Sequence, residues 1–457
     1  MEQDQGEQVF EKARESLSIT FNETSLQPLG LSAILILGLC LLLLPRKYAV
    51  VPILLLACLV PCGQRLVVFT LDFTPLRILV LIGWTRILFK GEFSRLTWKN
   101  TDTLVVIWAF CGAIAYTALH GSFSAVIYKA GSLFDIIGMY VIFRALIDSW
   151  GGVYRISYVL LLLSIPIGLF FLIEHQTGRN FFGTLGGVPE ITKIREGRLR
   201  CQGAYSHPIA AGCFWASCLP LIFACFLKNE KNRFIGVVAV VATFLIIVYS
   251  ASSTPIAATA AAIGAMLMFP LRHRMRFIKW CVVAVVIVLH FIMNGPVWVL
   301  IAKVDIVGGS TGYHRYNLIN NTINRFGEWW LMGTKSTAHW GHFLFDQANQ
   351  YVSEAVRGGV VNLILFVALL LTSFGAVGVL YKVHEGREKK ELYAWVLGAT
   401  LFVHCVSFVA LHYPQQNQML WLLNISLIVG LKPVVAQNET EPSADPVITE
   451  DTGCSMR

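Results

Sequence analysis

This chain has little charge. Only 14% of its 457 residues are Asp, Glu, Lys or Arg, against 56% hydrophobic residues, and mean hydropathy is +0.63. So few ionised groups cannot solvate the surface of a soluble enzyme of this length, which excludes that class and predicts a polytopic membrane protein. The net charge of +9 falls largely in short connectors, where it sets orientation, so no nucleic-acid partner is expected. Also lacking is any C-x-x-C pair among the eleven cysteines. Cys40, Cys58, Cys111, Cys213, Cys218, Cys225, Cys281 and Cys405 sit in apolar runs and read as small hydrophobes. Cys62 and Cys201 fall near the expected outer surface, where a disulfide between them is the one pairing predicted. There are no heptads, no repeat of solenoid period and no inverted repeat. No cleavable signal peptide is expected, because residues 1–26 are acidic and polar and the first apolar run is long enough to span.

What is present is a series of apolar runs near 29–44, 48–63, 74–89, 103–120, 125–147, 154–173, 207–227, 234–250, 254–270, 277–294, 358–381, 392–412 and 417–431. The predicted fold is all-α, a transmembrane helical bundle of about 12–13 spans with a large, partly helical outer loop between late spans. It divides into an acidic tail (1–28), one membrane domain (29–431) containing outer loops 175–206 and 295–357, and a disordered polar tail (432–457). The 74–89 run is short and carries Arg77, and the chain around Ser250 to Pro255 reads as a possible break within one helix. Basic connectors at Pro45-Arg46-Lys47, Arg86 to Lys99, Lys228 to Arg233, Arg272 to Arg276 and Lys382 to Lys390 share one side if the spans alternate, and the positive-inside rule makes that side cytoplasmic.

Two outer loops run against that bias. The first carries Arg179, Lys193, Arg195, Arg198 and Arg200, then GAYSHPIAAG leading into a helix. Closely spaced guanidinium forks suit a lipid-linked phosphate or diphosphate, the alternative being a solvated loop touching headgroups. His207-Pro208 reads either as a substrate contact or as a helix start with Pro in its first turn.

The second loop offers Arg315, Arg325, Glu328-Trp329-Trp330, Lys335, His339, His342, Asp346, Asn349, Tyr351, Glu354 and Arg357. The two Trp rings read as interfacial belt or packing rather than sugar-stacking surfaces. His339 and His342 lack an acidic or Cys partner at metal spacing, so no metal and no cofactor are expected. Asp346, Asn349 and Glu354 could cap the next helix, and Asp346 is also a candidate for function. Lys129, Asp135 and Arg144 lie within one apolar run and read as structural charges facing other helices, with Arg144 reaching the cytoplasmic interface.

Together these residues resemble the O-antigen ligase and polymerase superfamily of bacterial envelope glycan assembly. The resemblance rests on Ser310-Thr311-Gly312 with Arg315, on Glu328-Trp329-Trp330-Leu331-Met332-Gly333, on Asp346 to Tyr351 through Arg357-Gly358-Gly359, on Arg198 to Gly212, and on SASSTP at 250–255, where Thr254 replaces the usual Arg. It implies transfer of a polyprenyl-diphosphate-linked oligosaccharide to an acceptor glycan at the outer face of a bacterial inner membrane, with the bilayer and a possible chain-length regulator as further partners. Arg198 and Arg200, with Arg195, would hold the donor diphosphate, and Arg315 would stabilise the departing one. Asp346, His342 or His339 would be the general base, and His207, Tyr313, His314, Asn349 and Tyr351 would contact substrate. Ligases of the family carry a His directly before the late-motif Asn. Here that position is Ala348, which favours a polymerase; ligase-type transfer to a lipid or protein acceptor and a lipid-linked oligosaccharide flippase are the alternatives.

Overall fold

Each apolar run nucleates one helix, because in such a run only intrahelical bonds can satisfy the backbone. The computed structural model describes residues 24–69, 71–228, 233–293, 295–303 and 312–431. Most of the acidic N-terminal stretch, the polar tail from 432 and Ser310-Thr311 lie outside the described residues. The helices are α1 (Pro28–Leu43), α2 (Val51–Leu59), α3 (Pro75–Phe89), α4 (Asn100–His120), α5 (Phe123–Leu146), α6 (Trp150–Thr177), α7 (Pro208–Lys228), α8 (Arg233–Tyr249), α9 (Ser253–Leu267), α10 (Met275–Ile292), α11 (Leu300–Lys303), α12 (Gly312–Asn324), α13 (Phe326–Trp329), α14 (Gln350–Val383), α15 (Glu388–Phe408) and α16 (Gln415–Gly430). Two short antiparallel hairpins, β1–β2 (Leu66–Val68, Leu71–Phe73) and β3–β4 (Lys193–Arg195, Arg198–Arg200), interrupt an otherwise helical chain.

Among the described residues, seven helical segments are long and apolar enough to cross a membrane: α4, α5, α6, α7, Phe269–Ile292, α14 and α15. The other apolar helices are shorter. The 48–63 run shows why. Val60 precedes Pro61, is driven into extended backbone, and stops α2 after nine residues. The chain around Ser250 to Pro255 is a true break, with Ala251 at φ 42° between α8 and α9. α10 stands apart, with none of its apolar window buried.

Buried arginines inside the bundle are each matched by a carboxylate. Arg77 on α3 pairs with Asp135 on α5 at 2.6 Å, Arg86 with Glu92 at 2.9 Å, and Arg144 with Asp102 at 2.7 Å, where Tyr140 also donates to Asp102. Asp135 is structural, as expected, but its partner comes from another helix. Arg144 is 3% exposed, locked to Asp102 and bonded to the Thr97 carbonyl in the basic connector before α4. Cys62 and Cys201 are both free thiols, so the predicted disulfide is also corrected; Cys201 is fully buried, its amide bonded to the Tyr249 carbonyl.

The basic connectors gather at one end of the bundle. Arg46 pairs with Asp148, Lys228 with Glu388 and Arg272 with Glu391, while Lys99 donates to the carbonyls of Val429 and Leu431. Since α6 leaves that end and α7 and α9 return to it, the β3–β4 hairpin joining α6 to α7 lies at the opposite end, beside the α8–α9 break.

Candidate functional site: a cationic hairpin over one end of the bundle

The β3–β4 hairpin is a cationic surface by register. Lys193 lies opposite Arg200 and Arg195 opposite Arg198, with Ile194 opposite Leu199 between them. Alternation along a strand then puts all four cations on one face and both apolar residues on the other. Like charges directly opposite each other destabilise a hairpin, so this register is costly unless something else holds it. Glu196 (φ 51°) and Gly197 (φ 73°) close it in the doubly left-handed turn that suits two-residue hairpins.

Glu174, in the last turn of α6 and 1% exposed, is the clamp. Its carboxylate accepts from Thr192 Oγ1 (3.1 Å) just before β3, and from the amides of Gln202 and Gly203 (both 3.0 Å) just after β4. Both roots of the hairpin are thereby tied to one buried group. Sequence reasoning did not single out Glu174; the available signal was a carboxylate closing an apolar helix directly ahead of five basic residues.

Arg315 comes to the same place from the second loop. It lies on α12, is 7% exposed, and donates to Thr254 Oγ1 at 2.9 Å, at the start of α9. Thr254 is the position where the family pattern has Arg, so the two motifs touch. Arg195 links the segments electrostatically: burial first, and then Arg195, lowers the Arg200 guanidinium below its ordinary range, and Arg315 is lowered by burial and by the same Arg195, against an opposing contribution from Cys213. The Nε atoms of Arg200 and Arg315 are buried without a hydrogen-bond partner, and neither side chain is ion-paired with a carboxylate among the described residues. That sets them apart from Arg77, Arg86 and Arg144.

His207 closes the cluster. Its Nδ1 accepts the amide of Ile209 at 3.2 Å, so it serves as a helix start, and it lies within reach of Arg200, Lys193 and Arg195. Burial, reinforced by these three cations, holds its pKa down at about 4. A histidine depressed in the folded state contributes stability that is complete above its unfolded value near 6.5 and is lost as pH falls toward 4. The melting temperature of the protein should therefore fall more steeply between pH 6.5 and 4 than that of His207→Gln; parallel slopes would refute the placement. Inorganic pyrophosphate, by neutralising the arginines, should flatten the wild-type slope.

The other predicted residues are divided. Tyr313 is exposed, 6.1 Å from the Tyr316 ring, and His314 Nε2 lies 3.2 Å from the backbone oxygen of Asp346, whose carboxylate is exposed one residue's reach from the Arg315 helix. His339 is bound instead to Glu328 (2.8 Å), which also accepts from Trp340 (2.9 Å) and Arg325 (2.9 Å). The Trp340 bond above all, with those to His339 and Arg325, holds Glu328 down at about 2. His342 is exposed and lies over Phe343. Asn349 caps α14 through Val352 and donates to the Val409 carbonyl, and Tyr351 donates to the Cys405 carbonyl, so both side chains are committed to holding the helix. Trp329 is buried, its Nε1 bonded to Thr322, which is the packing role expected of it.

Two glycine-containing motifs set where this loop docks. Gly359 (φ 75°, ψ −178°) breaks α14 into a short helix ending at Gly358 and a long apolar one. At the break Val360 donates to the Trp330 carbonyl (2.8 Å) and Thr334 to the Val356 carbonyl (2.7 Å). Trp330 and Thr334, on either side of Leu331-Met332-Gly333, thus pair with the helix break backbone to backbone.

No family model matches this chain, and no curated protein matches it. Among the described residues, fold and site define a predominantly helical bundle, with seven helical segments of membrane-crossing length and apolarity and with Arg200 and Arg315 buried at one end without a carboxylate partner.

Proposed function

We propose that the protein is a membrane glycosyltransferase of the O-antigen polymerase type, moving a polyprenyl-diphosphate-linked oligosaccharide onto the hydroxyl of an acceptor glycan at the outer side of a bacterial inner membrane. The observation that carries this reading is the pair Arg200 and Arg315, buried beside a hairpin of like charges with no carboxylate to neutralise them among the described residues. A desolvated, unmatched guanidinium is expensive, and a diphosphate is the bidentate anion that offsets it. Arg200 and Arg315 grip the donor diphosphate with Arg195 and Arg198 lining its approach. The acceptor oxygen bonds to the anomeric carbon, the bond from that carbon to the diphosphate oxygen breaks, and the acceptor's proton passes to a base, for which Asp346, exposed and with its backbone oxygen 3.2 Å from His314 of the Arg315 helix, is the candidate. Charge grows on the leaving diphosphate, where preorganised cations contribute most.

A flippase for the same lipid-linked units is the second reading, and one observation favours it. His404 Nε2 and Thr400 Oγ1 on α15, with Asn424 Oδ1 and Ser426 Oγ on α16, are buried without a hydrogen-bond partner among the described residues, polar atoms within the apolar bundle. Deletion separates the two. Under the polymerase reading lipid-linked single units accumulate on the outer leaflet, and Arg198→Ala, Arg200→Ala and Arg315→Ala each fail to restore long glycan chains on a gel. Disappearance of those units from the outer leaflet would establish flipping instead, and long chains from all three variants would remove the arginines from the mechanism.

A further inference from the structure

The short helix at the start of α14 has two working faces. At 100° per residue, Val352, Ala355 and Val356 share one face, and they pack with Leu318 of the Arg315 helix and with Trp329. Gln350, Glu354 and Arg357 fall on the opposite face. There Arg357 lies within electrostatic reach of Lys129, Tyr116 and His412, and Lys129 within reach of Glu354 and His412. Arg357 uses its Nε on Gln347 (2.8 Å) and has no other partner among the described residues. Lys129 sits 4.6 Å from the Tyr116 ring centroid and 6.0 Å from that of Tyr128, and donates to no oxygen among the described residues. Glu354 acts on Lys129 at a distance but makes an ion pair with neither cation among the described residues. Its oxygens are filled by Trp108 Nε1 (3.0 Å), Gln350 Nε2 (2.6 Å) and Asn362 Nδ2 (2.7 Å), and neither cation reaches it at ion-pair distance. His412 adds a buried Nδ1 with no partner.

We propose a second phosphate-binding site, formed by Lys129, Arg357 and His412 on the face of α14 turned away from Arg315. A cation placed in an apolar helix is costly and is kept where it meets an anion or a polar cavity. Here it meets an arginine fork and an imidazole, which together offer an ammonium, a planar donor pair and a ring nitrogen to phosphate oxygens. Two sources share that chemistry: the diphosphate of a second lipid-linked glycan, serving as acceptor, and a phospholipid headgroup. The first source rests on the function proposed above, because joining two lipid-linked chains requires one diphosphate to leave while another stays held. The site itself does not depend on that reading.

The test is equilibrium binding of radiolabelled inorganic pyrophosphate to the full-length protein in phosphatidylcholine nanodiscs. Two pyrophosphates per chain are expected. Lys129→Met and Arg357→Gln should each weaken one of them at least tenfold and leave the other, while Arg315→Gln removes the complementary one; Arg357→Lys, which keeps the charge and loses the fork, should fall between. Unaltered binding by Lys129→Met and Arg357→Gln, or a single pyrophosphate in the wild type that Arg315→Gln removes, overturns the second site. A single pyrophosphate in the wild type that Arg315→Gln leaves in place and Lys129→Met and Arg357→Gln weaken overturns the proposed function and leaves the site standing. Displacement of the second pyrophosphate when a third of the lipid is phosphatidylglycerol assigns the site to headgroups, and persistence assigns it to the acceptor's diphosphate.

Discussion

Arg315→Gln is expected to reduce polymer synthesis by at least about 100-fold and yet to leave the protein as stable as its parent, or more so. The two halves have one cause. Arg315 is 7% exposed, its Nε has no partner among the described residues, and another cation, Arg195, acts on it. Deleting a buried charge that nothing neutralises relieves a desolvation cost, whereas deleting one member of a buried pair leaves the other stranded. Arg144→Gln is the matched control. It strands Asp102, which is 1% exposed and takes bonds from both Arg144 and Tyr140, and should cost roughly 3–5 kcal/mol. Thermal melts of the two variants in the same detergent, beside glycan gels, decide the matter. If Arg315→Gln melts as early as Arg144→Gln, Arg315 is a structural residue and the anion site loses its main support.

The second large effect falls on a backbone position. Gly359 adopts φ 75° with ψ −178°, a conformation essentially reserved for glycine, and a Cβ there would come 2.4 Å from the Leu331 carbonyl oxygen. Gly333 faces it in the same way, its Cβ position 2.4 Å from the Val356 oxygen. Gly359→Ala should therefore cost about 1–3 kcal/mol in backbone strain before the clash is counted. The loss should be local, because the bonds at risk are Val360 to Trp330 and Thr334 to Val356. Hydrogen exchange should quicken across 326–340 while the core of α14 beyond Val360 keeps its protection, and polymer synthesis should fall with it. Unchanged exchange in 326–340 would show that the loop is anchored elsewhere.

Much of the helical framework was legible because its cause is local. An apolar run makes its own backbone bonds, so thirteen runs yielded thirteen helices at nearly the expected positions. Their lengths were less legible, since a single X-Pro step, Val60-Pro61, ends α2 while the apolar composition continues. At the site, Arg195, Arg200, His207 and Arg315 were foreseen and are brought together. Glu174 was missed because its importance lies in three bonds to residues 18, 28 and 29 positions away. Lys129 and Arg357 were seen as separate charges, one in an apolar run and one in a loop, and nothing in their spacing joins them.

Composition and periodicity by themselves determined that this chain must be a bundle of apolar helices with its polar groups concentrated in two late segments, since hydrophobicity acts residue by residue and leaves its pattern in the order of the letters. Only the tertiary structure decided which cations are neutralised and which are left open. That distinction depends on charges meeting across helices, Arg77 with Asp135, Arg144 with Asp102, Arg200 and Arg315 with no carboxylate among the described residues, and Coulomb energy depends on distance in space rather than on separation along the chain.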